Sequence, residues 1–154
     1  MLFFYACSSP EIPIECNGKD YLCERRVNEV AFPASHNAMS SAQNEWIAPN
    51  HLYAIPKQLS DGIRGLNIDT YLWEEEPHVC HGFCEIGAEP LEQVLGQIKA
   101  FIIANPREVL IITIQSNLSA ARTIQSLQQS GLWPHLYNHQ INSPWPTLGA
   151  LIQE

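Results

Sequence analysis

Residues 90–115 leave the chain little freedom. After Pro90, apolar side chains fall at Leu91, Val94, Leu95, Ile98 and Ile102, the i, i+3, i+4, i+7 spacing that lines one face of a helix. Pro90 suits a first turn, where a missing N–H costs nothing, and Asn105-Pro106 ends the segment. Val109-Leu110-Ile111-Ile112-Thr113-Ile114-Gln115 follows as a nearly unbroken apolar run, as expected of a strand buried on both faces in a parallel sheet. A helix leading into such a strand is part of a βα repeat, which directs the chain to α/β architectures.

Other segments extend the pattern. Val27 to Phe32 is strand-like and stops at Pro33. From Gly65 to Tyr71 the residues alternate, with Leu66, Ile68 and Thr70 on one face and Asn67, Asp69 and Tyr71 on the other. A brief strand is expected around His78-Val79-Cys80, and a fifth near Leu136-Tyr137. Ser119 is placed to cap a helix over Ala120 to Ser130, with Gly131 as its stop, and a last helix begins at Thr147 and reaches Gln153. Glu74-Glu75-Glu76 reads as a solvated loop.

The 154 residues are 45% hydrophobic and 16% charged, enough for one core and too little charge for a self-repelling disordered chain. Eight Lys+Arg against 16 Asp+Glu give a net charge of −8. Without a basic stripe to displace counterions from phosphates, nucleic acid is not an expected partner. No apolar run approaches the ~20 residues that span a bilayer.

Five cysteines leave one over. Residues 1–15 read as an apolar leader remnant and linker, with Ala6-Cys7 resembling a bacterial lipoprotein cleavage and lipidation point. The competing reading is a short apolar N-terminal tag with no processing. Of three connectivities open to the other four, the short loops favour Cys16–Cys23 and Cys80–Cys84, which implies an oxidising, extracytoplasmic compartment. Alternatively His78, Cys80, His81 and Cys84 form a metal cluster, although they lack the C-x2-C and H-x3-5-H spacing of structural zinc.

Chemically useful side chains recur at strand ends. His36-Asn37 lies just past the first expected strand, Asp69 ends the second, His81 follows the third and Gln115 ends the fourth. In a parallel βα barrel these positions converge on the rim where active sites lie. Singly, each has a structural explanation: Asp69 as a helix cap, Gln115 as a satisfied core amide. His51, His135 and His139 read as surface or hydrogen-bonded structural residues. The coincidence of all four favours a site. Two histidines suit phosphoryl transfer, which needs a base for the attacking hydroxyl and an acid for the leaving alkoxide. Arg64 offers either a phosphate grip or a structural ion pair; alternation along the strand turns it away from Asp69 and favours the structural role.

At these residues a family resemblance emerges. Val30-Ala31-Phe32-Pro33-Ala34-Ser35-His36-Asn37-Ala38-Met39-Ser40 resembles the first histidine motif of the phosphatidylinositol-specific phospholipase C X domain. Gln58 to Asp69 resembles its second-strand signature, Cys80-His81-Gly82 its second histidine motif, and Leu91 to Gln115 the helix and strand that follow. Cys16-Asn17-Gly18, Cys23-Glu24-Arg25-Arg26 and Trp46-Ile47-Ala48-Pro49-Asn50 are similar to the secreted PLC-like phosphodiesterases within it.

The resemblance implies a TIM-type (β/α) barrel, with residues 16–154 as its N-terminal half. A full barrel takes ~250 residues, so the chain reads as truncated after about five βα units. It implies His36 as general base on an inositol 2-hydroxyl and His81 as general acid on the departing diacylglycerol oxygen. A calcium ion would fall among Asn37, Asn67, Asp69 and Gln115, where only Asp69 is anionic. The substrate would be a phospholipid or inositol phosphodiester met at a membrane surface. The protein would be secreted, or lipid-anchored to the outer face of a bacterial membrane. The alternative is an inactive, truncated family member that binds a phospholipid headgroup.

Overall fold

The computed structural model describes residues 15–153. Its framework is a curled half-barrel sheet of five strands with four α-helices. The strands are β1 (Ala34–Ser35), β2 (Gly65–Trp73), β3 (Glu76–Cys80), β4 (Ala88–Pro90) and β5 (Ile111–Ser116). The helices are α1 (Ile55–Ser60), α2 (Leu91–Ala104), α3 (Ala120–Gln129) and α4 (Leu148–Gln153).

β2 is the hub. It pairs in parallel with β1 (Ser35 beside Leu66) and with β5 (Asp69 beside Gln115), and antiparallel with β3 (Thr70 beside Val79). Gly65 permits the close approach to β1, because a Cβ there would lie 2.6 Å from that of Ala34. Leu66 and Ile68 meet Val94, Leu95 and Ile98 of α2 in the main core, so the helix stripe read from the sequence is the face that the sheet covers. Ser119 accepts the Arg122 N–H at 3.3 Å as the cap of α3, and Gly131 takes a left-handed φ of 72° beyond its end.

Several sequence expectations need correction. Val27–Glu29 is a 3-10 turn, closed by the Arg26 N–H donating to Glu29 Oε2 at 2.9 Å. The strand comes after Pro33, whose carbonyl accepts from Arg64 and Gly65. Val27, Val30 and Phe32 are apolar because they pack in a second cluster with Leu148, Val109 and Cys16. β2 does not end at Asp69; it runs on to Trp73 and turns back through Glu74 and Glu75, both at positive φ. The sheet is therefore mixed, with β2, β3 and β4 antiparallel. β5 is not buried on both faces: it pairs only with β2 among the described residues, and Ile111 is 37% exposed. Leu136-Tyr137 forms no strand; a 3-10 turn at Trp133–His135 precedes it and both side chains are exposed.

Both local disulfides are formed, Cys16–Cys23 and Cys80–Cys84. The first pins the loop whose Asn17 side chain exchanges two hydrogen bonds with the Val109 backbone, at 2.7 and 3.0 Å, and so fixes the entry to β5. The second takes both thiolates that a zinc reading would need. Cys7 lies outside the described residues. Among those residues, no helix is long and apolar enough to cross a membrane.

Candidate active site

β1 is only two residues long, yet it delivers His36 to the open end of the sheet. The backbone leaves the strand at Asn37 with φ 53°, a left-handed conformation that asparagine tolerates better than most residues. The turn is held to β2: Asn37 N–H donates to Asn67 Oδ1 at 3.4 Å, and Ala38 N–H donates to the Asn67 carbonyl at 2.8 Å. Asn37 and the next four residues are buried, so the loop is a fixed part of the core.

The antiparallel hairpin brings in His81. β3 returns alongside β2, and the Cys80–Cys84 disulfide closes the turn that carries His81. His81 Nδ1 lies 3.1 Å from Asp69 Oδ2. An ionised carboxylate can only accept, so the proton of that bond sits on Nδ1. The Asp69 side chain is 5% exposed and the imidazole 51%: a buried acid grips a half-exposed ring. The other ring nitrogen, Nε2, lies 3.5 Å from Asn37 Nδ2. Asn37 Oδ1 and Asp69 Oδ1 are buried without a hydrogen-bond partner among the described residues.

The structure therefore joins Asn67, Asn37, His81 and Asp69 in one contact chain, with His36 adjoining Asn37. The His36 side chain is exposed, and its ring makes no hydrogen bond among the described residues; its carbonyl accepts from His51 Nε2 at 2.8 Å. Gln115 lies beside Asp69 in the β2–β5 register and is exposed. Arg64 stands apart. Its guanidinium donates to Glu108 Oε2 at 2.6 Å and to the carbonyls of Leu59 and Ile63 at 2.7 and 2.8 Å. Five residues of strand separate it from Asp69 by about 16 Å.

Two contributions went unread in the sequence. His51 is hydrogen-bonded, one of the two readings open to it, but nothing in the sequence marks the His36 carbonyl as its partner. Glu89 stood in the lead into α2 with no signal attached. Its Oε1 accepts from Asn44 Nδ2 at 2.6 Å, tying the segment after His36 to the one after His81. Burial pushes the Glu89 carboxyl above its ordinary value, opposed by hydrogen bonds from the Asn44 and Trp46 side chains. Gly87 lies against that indole, where a Cβ would come within 2.3 Å of a ring carbon.

His81, held by a buried carboxylate, and His36, joined to it through Asn37, are both groups that can take up and release protons. Comparison with known proteins supplies the family. The PI-PLC X domain model matches residues 22–154, and the chain belongs to that family. An uncharacterized secreted protein of Arthroderma benhamiae is 31% identical over 144 residues, 89% of this chain and 32% of the relative. A PI-PLC X domain-containing protein of Arabidopsis thaliana is 27% identical over 145 residues, 82% of this chain and 34% of the relative. The 1-phosphatidylinositol 4,5-bisphosphate phosphodiesterase 1 of Saccharomyces cerevisiae is 29% identical over 103 residues, 63% of this chain and 12% of the relative. The chain spans about a third of the length of the first two. A secreted relative and two disulfides fit an extracellular location.

Proposed function

We propose that this chain carries the phosphodiester-cleaving rim of a PI-PLC-type (β/α) barrel. His36 takes the proton of the inositol 2-hydroxyl, and that oxygen bonds to the adjacent phosphorus. The bond from phosphorus to the diacylglycerol oxygen breaks, and His81 Nε2–H protonates the departing alkoxide. The products are a cyclic phosphodiester and diacylglycerol.

The observation that carries this reading is the His81–Asp69 pair. Holding Nδ1–H on a buried carboxylate fixes the ring and leaves Nε2 as the atom that meets substrate. A lipid surface as partner is supported by Leu52, Ile47 and Phe83, 73%, 64% and 72% exposed, on the loops that carry His36 and His81.

The donor set does not fit calcium. Asp69 is the one carboxylate, and its Oδ2 is engaged by His81; Asn67 Oδ1 accepts from Asn37, which leaves Asp69 Oδ1 and Asn37 Oδ1 as the unpartnered buried oxygens. Calcium takes six to eight oxygens, several of them charged.

The test is ³¹P NMR of phosphatidylinositol micelles incubated with the protein, with and without EDTA. A cyclic inositol phosphate resonance that grows equally in both supports the reading; no loss of phosphodiester overturns it. The second reading, headgroup binding without turnover, is favoured by the ring of His36, which has no hydrogen-bond partner among the described residues. It predicts saturable binding of inositol phosphate with no product.

A further inference from the structure

We propose that His51 is the positioning residue for His36: its ring locks the peptide between His36 and Asn37, and so fixes His36 against the buried Asn37 turn that touches His81. This rests on the reading of His36 as the base.

The His51 backbone is itself immobilised. It forms a parallel bridge with Ser41, its N–H donating to the Ser40 carbonyl at 3.0 Å and its carbonyl accepting from Ala42 at 2.8 Å. From that anchored Cα the ring reaches back to the His36 carbonyl at 2.8 Å. A carbonyl can only accept, so Nε2 carries the proton of this bond. The N–H of the same peptide, that of Asn37, donates to Asn67 Oδ1 at 3.4 Å. One peptide is thus held at both polar ends, by two different elements.

That peptide is where control is needed. Asn37 has φ 53°, a sparsely populated conformation that persists only when its surroundings enforce it. Flipping the peptide would change φ of Asn37 together with ψ of His36. The second angle sets how His36 sits relative to the buried Asn37 turn, whose side chain lies 3.5 Å from His81 Nε2. The His36 ring makes no hydrogen bond among the described residues, so this peptide is the point at which the fold holds His36 against that turn. The Gln58 side chain, which donates to the carbonyls of Ala38 and Tyr53, both at 2.8 Å, steadies the frame but does not touch this peptide.

The geometry specifies the test variants. A glutamine amide nitrogen occupies about the place of an imidazole Nε2, whereas an asparagine nitrogen falls short, near Nδ1. In His51→Ala and His51→Asn, kcat on phosphatidylinositol micelles should fall by about tenfold to a hundredfold. KM should stay within about twofold, because only the reacting geometry is disturbed. His51→Gln should restore kcat. Amide hydrogen exchange followed by NMR gives a readout that needs no activity. Asn37 and Ala38 should exchange about tenfold faster in the Ala and Asn variants and not in Gln, with Ile68 and Thr70 of β2 unchanged. Unchanged exchange at Asn37 and Ala38 in His51→Ala, equal acceleration throughout β2, or a His51→Gln variant as impaired as Ala overturns the proposal. If the wild-type protein cleaves no phosphodiester, the reading of His36 as base falls, and the exchange pattern alone decides whether His51 is the lock.

Discussion

At the residue scale, the decisive contrast is between Asp69 and His81, which touch but differ in exposure. A buried carboxylate beside a solvent-facing imidazole orients a ring for proton transfer; two exposed groups at the same distance would not. Asp69→Asn keeps the shape and removes the acceptor that selects Nδ1–H. It should lower kcat by about 10²- to 10⁴-fold with an unchanged far-ultraviolet circular dichroism spectrum; near wild-type turnover would remove Asp69 from the mechanism. Glu89 makes a prediction of opposite character. Its carboxyl sits above the ordinary 4.5 because burial disfavours the charge, so the folded protein binds that proton more tightly than the unfolded chain. The stability from this group is present below its ordinary value and is lost as pH rises through the raised one. Urea midpoints should therefore shift in favour of Glu89→Gln, relative to wild type, between about pH 4 and pH 7. An equal difference at both pH values would contradict the assignment.

At the scale of elements, the ties between segments explain both what the sequence discloses and what it conceals. The period of α2 and the alternation of β2 are local signals of burial against a sheet, and both elements form where the pattern puts them. Val27–Glu29 misleads because an apolar run records burial, not conformation, and its burial is supplied by α4 and the entry to β5. The antiparallel return of β3 is hidden for another reason: Glu74 and Glu75 adopt positive φ without glycine, so the hairpin carries no turn signature. His36, Asn37 and His81 could be found as residues that follow strands and Asp69 on the alternating run that is β2, within which it lies rather than at its end, but the carbonyl that His51 grips is a backbone atom with no trace in composition. Arg64 and Glu108 form a tie of this kind between the start of β2 and the segment leading into β5. Their side chains are 15% and 16% exposed. Arg64→Ala should cost about 3 kcal/mol in chemical denaturation, by leaving Glu108 unpaired in a dry setting. The double variant with Glu108→Ala should cost less than the two single losses summed; additivity would show the pair to be uncoupled.

At the scale of the whole molecule, the sheet has a closed and an open side. β1, β3 and β4 lie to one side of β2, whereas β5, among the described residues, offers unpaired backbone groups flanked by Ile111, Ile112 and Ile114. Such an edge invites another strand. The chain should self-associate as its concentration rises, and Ile111→Lys should shift it toward monomer in size-exclusion chromatography with light scattering; a monomer at every concentration would show the edge to be covered. The rim at the end of this sheet holds the central claim, that His36 and His81 divide the proton transfers of one phosphodiester cleavage. It is tested most directly by turnover of two inositol phosphodiesters, one with an alkoxide leaving group and one with a nitrophenolate that needs no proton to depart. His81→Ala should nearly abolish cleavage of the first and largely retain cleavage of the second, while His36→Ala should abolish both. Equal loss of both substrates in His81→Ala, or unchanged turnover in His36→Ala, would contradict the account.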